Sequence, residues 1–398
     1  MMDRSRARRI MEKHGLDVLV GTARENIAYV SGLDGVERKG SNGLERMYVV
    51  FPRDPKRETI LVLPQGYLLW VLQNEIEPCA LRTIGSYHYV MTDTDGLTPE
   101  ERRLIDLREK SPGSPTPIDG LLAALSDAGM DGRSSIGIDE SRMPFGEVDR
   151  IRKALPKAEL SEAYEVFREI RMIKTPAEIE RLRRAALVNQ QAMLEAIDLI
   201  REGIEHRAVR EKLRQGMIGA GATVSHDACG FSWASVYSHT EPSSYRAKRG
   251  DLFKFDVGCY LDGYAADTAR TGVIGTPSTE QTRHYAAVRE AQQLGIQRLR
   301  PGMTASELYE IMQSSIRAGL KNPTFVRSNY GHGIGRDVYD APTIAASDHT
   351  PLEAGMVLNI EAPDHELGFG GLTLEDTVLL TEKGVEYLTD ADRDLYIR

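Results

Sequence analysis

Cysteine is scarce in this 398-residue chain, and Cys79, Cys229 and Cys259 lie far apart without a CxxC pair. That excludes a disulfide framework or a zinc ribbon and predicts three small buried thiols. Long hydrophobic runs are missing too, since no window approaches the roughly 20 apolar residues of a membrane-spanning helix. Basic excess is also absent: 59 acidic against 50 basic residues give a formal charge of −9, with a pI near 5.6. A protein that tracks nucleic-acid phosphates needs a basic face, so neither nucleic acid nor membrane is expected as a partner, and small polar molecules or peptides are. Arg4, Arg6, Arg8 and Arg9 precede an apolar stretch at 16–20, but Asp17 interrupts it and it is too short for a signal sequence. A cytoplasmic location is therefore expected.

What the chain does contain is 41% hydrophobic residues, enough for a large core and two domains. Up to about residue 160, helix-like and strand-like patterns alternate: a helix over 4–14, strands over 16–20, 47–51, 59–63 and 135–139, and a helix over 121–128. These predict an α/β domain over 1–160. Thr98-Pro-Glu-Glu101 reads as a helix start, and 111–117 as a loop rich in proline and glycine. Thr175-Pro-Ala-Glu178 combines an N-cap threonine, Pro at the first helical position and Glu at the third, opening a long helix. From 161 to 398 the pattern runs helix pair (to about 204, then 206–220), ribbon, helix pair, ribbon, an α+β layout that hints at duplication.

The chemistry concentrates in Phe-Lys-Phe-Asp256-Val-Gly-Cys-Tyr-Leu-Asp-Gly-Tyr-Ala-Ala-Asp267. Asp262-Gly263 between two β-prone runs is a strong hairpin signal, because a two-residue primed turn needs positive φ. Such a turn sets Asp267 opposite Gly258 and puts Asp256 on the same face, a diagonal pair roughly 7 Å apart. Two bare carboxylates at that separation repel each other, and a cation between them is the simplest compensation. His332 follows among glycines in Asn329-Tyr-Gly-His-Gly-Ile-Gly335, where the backbone can approach closely. Glu361 ends one apolar run and Glu375 sits inside another, with an even separation compatible with a second hairpin that shows both on one face. Four carboxylates and one imidazole form an oxygen-rich set suited to Mn²⁺, Fe²⁺, Co²⁺ or Zn²⁺ in a two-metal centre. His226 belongs to no motif and reads as structural.

In the order Asp, Asp, His, Glu, Glu the pattern resembles the M24 "pita-bread" metallopeptidases, the creatinase/prolidase/methionine-aminopeptidase family, and within it the Xaa-Pro dipeptidase branch. Asp-Val-Gly, Gly-Tyr-Ala-Ala-Asp-Thr-Ala-Arg-Thr, Gly-His-Gly-Ile-Gly, Leu-Glu-Asp-Thr-Val and the stretch opening at Arg171 carry the likeness over about 165–398. The resemblance implies a C-terminal pita-bread catalytic domain behind a smaller creatinase-N-like α/β domain. It further implies that Asp256 chelates one ion, Asp267 and Glu375 bridge two, and His332 and Glu361 complete the other. His239 would contact substrate.

Hydrolysis of Xaa-Pro dipeptides is the implied activity, with a hydroxide shared by two divalent ions as nucleophile and Glu361 shuttling its proton. Manganese is the first expectation, with cobalt, zinc or iron as alternatives, and a homodimer is the implied assembly. Three positions depart from the family: Tyr339 stands where a second histidine is usual, His365 where proline peptidases carry tyrosine, and Thr373 where they carry arginine. His365 and Tyr339 are expected to exchange roles in part. Because these changes touch the substrate wall, an Xaa-Pro aminopeptidase, an ectoine hydrolase-like or a dimethylsulfoniopropionate lyase-like activity stays open, with a non-catalytic binding module as the remaining class.

Overall fold

The computed structural model describes residues 2–34, 46–74, 76–90, 96–237 and 243–398. They divide into two compact units, Met1–Ile170 and Arg171–Arg398. The break falls after 170 rather than 160 because the helix Tyr164–Met172 buries Val166, Phe167 and Ile170 in the first unit's core.

The first unit is a seven-stranded mixed sheet of β1 (Val18–Gly21), β2 (Tyr48–Pro52), β3 (Ile60–Pro64), β4 (Ala80–Ile84), β5 (Gly113–Ser114), β6 (Ser135–Ile138) and β7 (Glu159–Glu162). The order is β5-β4-β3-β2-β1-β6-β7, with only β2 antiparallel to both neighbours. Strand alternation explains why both faces are covered: Leu19, Val49 and Leu61 enter one core cluster while Val18, Val20, Val50 and Val62 enter the other. Residues 111–117, expected as a loop, contain β5, and Pro117 already starts a helix that Thr116 caps.

The second unit packs two helix pairs, Pro176–Asp198 with His206–Gly219 and Thr279–Arg298 with Ala305–Leu320, against one nine-stranded sheet. Capping boxes at Thr175/Glu178, Ser278/Gln281 and Thr304/Glu307 start three of these helices. The first helix stops at Asp198, short of the expected 204, and the next begins at His206 as expected. The strands are β8 (Thr223–Phe231), β9 (Leu252–Leu261), β10 (Tyr264–Val273), β11 (Gly331–Gly333), β12 (Asp340–Thr343), β13 (Val357–Glu366), β14 (Gly370–Thr381), β15 (Gly384–Tyr387) and β16 (Tyr396–Ile397). Their order is β12-β11-β13-β14-β10-β9-β8, with β15 on β14 and β16 on β10.

Alternation along these strands separates packing from chemistry. Phe253, Phe255 and Val257 face one helix pair, and Leu358, Ile360, Leu372 and Leu374 face the other. Full burial of each such side chain contributes about 1.5–3 kcal/mol, so the register is strongly fixed. The intervening positions are left to face the opposite side, and that set includes Asp256, Asp267, Glu361 and Glu375. Among the described residues, no helix is long and apolar enough to cross a membrane.

Candidate metal centre

Asp262 and Gly263 turn β9 into β10 with φ of 49° and 73°. Tyr264 pairs with Leu261 and Asp267 with Gly258, the register the turn implies, so Asp256 shares a face with Asp267. Glu375 enters beside them because β14 meets β10 at the pair Ala269 and Glu375. Glu361 is directly opposite Glu375 in the β13–β14 ladder. His332 arrives on the short strand β11, opposite Asn359. Gly331 permits this approach: its φ is 130°, and a Cβ there would meet the Asn359 carbonyl oxygen at 1.9 Å.

Ligand atoms of Asp267, His332 and Glu375 lie within 4.8 Å of one another, as do those of His226, Asp256 and Asp267. His332 Nδ1 is 3.0 Å from the Gly333 carbonyl, so it donates its proton there and turns Nε2 toward Asp267, 3.8 Å away. Asn359 Nδ2 donates to Glu375 Oε1 at 2.9 Å and to the Asp267 carbonyl at 3.2 Å, orienting both strands. On the helix-facing side, the buried Arg270 guanidinium donates to the Glu375 carbonyl at 2.6 Å and pairs with buried Asp376 at 2.7 Å, while Arg393 closes on Asp376 at 2.9 Å. The backbone that carries Glu375 is thereby braced from behind.

The electrostatics of the cluster favour a bound cation. Burial, then the charges of Asp256 and Asp267, raise Glu361 from 4.5 to about 8. Burial and the same neighbours, with Glu361, hold Glu375 well above its ordinary value. The Glu361 carboxyl takes no hydrogen bond from a described residue. Oxygen-rich donors that cannot all ionise without compensation are what divalent cations require, so the residues fit such ions.

Around these acids stands a wall that the motifs only partly anticipate. Tyr339 lies against His332 with ring centroids 4.1 Å apart and planes tilted by 38°, while remaining 62% exposed. Burial and the four acids push its phenol upward, so it stays a protonated donor. His365 Nε2 lies 3.2 Å from both Lys254 Nζ and Thr373 Oγ1. Burial, then Lys254 and Arg327, lower it to about 3, which keeps the ring neutral. His239 falls outside the described residues.

Lys254, Arg327 and His226 were not read from the sequence as site residues. Lys254 carried a usable signal: it is the only charged residue in the run 252–255 and shares strand parity with Asp256. Its side chain is 1% exposed, with Nζ 3.8 Å from Asp256 Oδ2. His226, read as structural, instead sits with Nε2 3.0 Å from Asp267 Oδ1 and 3.8 Å from Asp256 Oδ1. Burial alone would lower its pKa, but Asp267 and Asp256 raise it to about 9.

The family model for metallopeptidase family M24 matches residues 180–382, and that for the creatinase/prolidase N-terminal domain matches 4–173. The Xaa-Pro dipeptidase of Pyrococcus horikoshii is 33% identical over 268 residues, 67% of this chain and 76% of that protein. That of Pyrococcus furiosus is 34% identical over 263 residues, 66% of this chain and 75% of the relative. The solved prolidase of Pyrococcus horikoshii superposes with a TM-score of 0.76 at 25% identity, covering 99% of both chains. An X-Pro aminopeptidase from Thermotoga maritima gives 0.77 at 23% identity over 100% of both, which speaks to the fold alone.

Proposed function

The chain belongs to metallopeptidase family M24, and on that premise we propose that it is a metal-dependent dipeptidase that cleaves the bond ahead of proline in Xaa-Pro dipeptides. The observation that carries this reading is the convergence of Asp256, Asp267, His332, Glu361 and Glu375 on one sheet face. The substrate class is supported by the relatives that bear the name Xaa-Pro dipeptidase.

In this reading Asp256, Asp267, His332, Glu361 and Glu375 would hold two divalent ions between them. When bound, such ions polarise the scissile carbonyl and lower the pKa of water to about 7. Glu361 is the proposed proton carrier: as a carboxylate in the loaded site it would take a proton from water and deliver it to the departing proline nitrogen. Tyr339, a protonated phenol beside His332, donates a hydrogen bond to the developing negative charge. Neutral His365 orients Lys254.

Dipeptide preference requires something to hold a free carboxylate close to the scissile bond. Among the described residues, buried Lys254 has Asp256 as its only carboxylate within 4 Å, and the Arg327 side chain makes no ion pair or hydrogen bond. Arg327 acts electrostatically on Glu361 and His365, so the two cations share one end of the site and are available to that carboxylate. Manganese, a homodimer and a cytoplasmic setting complete the proposal. Hard oxygen donors support the first, the family resemblance the second, and three free cysteines are compatible with the third.

The test is metal-reconstituted protein offered Xaa-Pro dipeptides, Xaa-Pro tripeptides and ectoine in parallel. Proline released from dipeptides, with tripeptides poorly used, supports the reading. Cleavage of ectoine without proline release from any peptide overturns it.

A further inference from the structure

The described strands bring one histidine into the carboxylate cluster that no motif assigns. In the β8–β9 ladder His226 is opposite Gly258, and in the β9–β10 ladder Gly258 is opposite Asp267. The three residues form one row across three strands. An ordinary side chain at 258 would block that row: a Cβ there would meet His226 Cε1 at 2.2 Å and Nδ1 at 2.8 Å. With glycine in place, the imidazole lies across β9 and reaches the acid on the far strand. A register irregularity between Val224 and His226 shifts the pairing immediately before this residue, as strand bulges that re-aim a side chain do.

The aim of the ring is specific. Nε2 lies 3.0 Å from Asp267 Oδ1 and 3.8 Å from Asp256 Oδ1. Nδ1 faces the Ser225 hydroxyl at 3.3 Å. Donors about 2.1 Å from one shared ion stand ~3–4 Å from each other, so Nε2 is spaced from each of the two carboxylate oxygens as a ligand sharing an ion with it would be. The neighbouring Asp227 does not compete for the ring: it is buried against Arg210 at 2.5 Å and also pairs with Arg214. His226 keeps 20% of its side chain exposed, so an ion or solvent proton can reach it.

We propose that His226 is a further metal ligand, binding through Nε2 the ion held by Asp256 and Asp267. This rests on the two-metal reading of the site and adds to it a nitrogen donor on the ion that would otherwise have only oxygen ligands. The dinuclear centre then carries two imidazoles, His226 on one ion and His332 on the other. A divalent first-row ion is the ligand class, and the added nitrogen shifts the preference of that position from Mn²⁺ toward Co²⁺, Fe²⁺ or Zn²⁺.

The experiment is X-ray absorption on full-length wild-type protein loaded with Co²⁺, with metal content measured on the same sample and isothermal titration with Co²⁺ for wild type, His226→Ala and His332→Ala. The expected result is two ions and two imidazoles per chain, falling to one imidazole in either variant. In His226→Ala one ion should weaken by at least about tenfold, the scale on which loss of even an outer partner acts, while the other is retained. Two ions with a single imidazole in the wild type overturn the assignment of His226 and leave the dinuclear centre standing. Failure of the wild type to bind Co²⁺ overturns the metal centre itself, and with it this assignment. Because the wild type alone decides the count, a variant that folds poorly does not blunt the test.

Discussion

Stripping the divalent ions should make stability fall as pH rises, and the site's own acids set the size of the effect. Glu361 is raised from 4.5 to about 8, and Glu375 is raised in the same sense. Above 4.5 the unfolded chain releases these protons while the metal-free native protein keeps them until pH passes the folded values. A group that binds its proton more tightly in the native state loses about 1.4 kcal/mol of stability per pH unit across that window. From about pH 5 to about pH 7, Glu361 alone therefore contributes a loss of about 3 kcal/mol, and Glu375 adds to it. His226, raised from 6.5 to about 9, acts in the same direction at higher pH: its contribution is full below 6.5 and is lost as pH passes 9.

For a cooperative unit of about 200 residues, 3 kcal/mol corresponds to roughly 6–12 °C in melting temperature. Divalent ions displace these protons and bind better as pH rises, so the loaded protein should not show the loss. The assay is a pair of melting curves, chelator-treated and metal-loaded, at matched ionic strength from about pH 5 to about pH 8. The gap should widen with pH. A gap that is flat or narrows would refute the view that the acids are held protonated for want of a cation.

Four further outcomes follow from the same geometry. Asp376→Ala leaves the buried Arg270 without its carboxylate, and a broken buried pair costs about 3–5 kcal/mol in urea unfolding; a cost below about 1 kcal/mol would mean that the brace is not holding Glu375. Lys254→Met should raise KM for Xaa-Pro dipeptides about tenfold to a hundredfold with a smaller change in kcat, since a hydrogen bond to a charged group contributes about 1.5–3 kcal/mol; an unchanged KM removes the carboxylate anchor. Tyr339→Phe and His365→Ala should each lower turnover, and if neither does, the exchange of roles between them is wrong. Asn359→Ala removes the donor at 2.9 Å from Glu375 and should weaken metal binding about 10–100-fold, read by titration; unchanged affinity places no weight on that hydrogen bond.

The placement of the candidate site residues was legible wherever it depended on local sequence. One Asp-Gly turn was enough to bring Asp256 and Asp267 to one face, because a two-residue turn fixes register and register fixes side-chain parity. Glu361 and Glu375 were legible for the same reason, an even spacing across a glycine-rich connection that the ladder closes with the two in direct opposition. His226 was not, since its role depends on which strand flanks β9 and on an irregularity of register before it. Lys254 and His365 are 111 residues apart and meet only through strands that are not hydrogen-bonded neighbours. The first unit was legible as alternating elements, but its strand order depends on long-range pairing that no turn announces.

The most direct measurement is proline release from an Xaa-Pro dipeptide by protein whose metal content is counted in the same preparation. Activity that appears with two divalent ions per chain, disappears on chelation, returns on reloading and is lost in Asp256→Asn is the expected result. Full occupancy by two ions with no proline released from any Xaa-Pro dipeptide would contradict it.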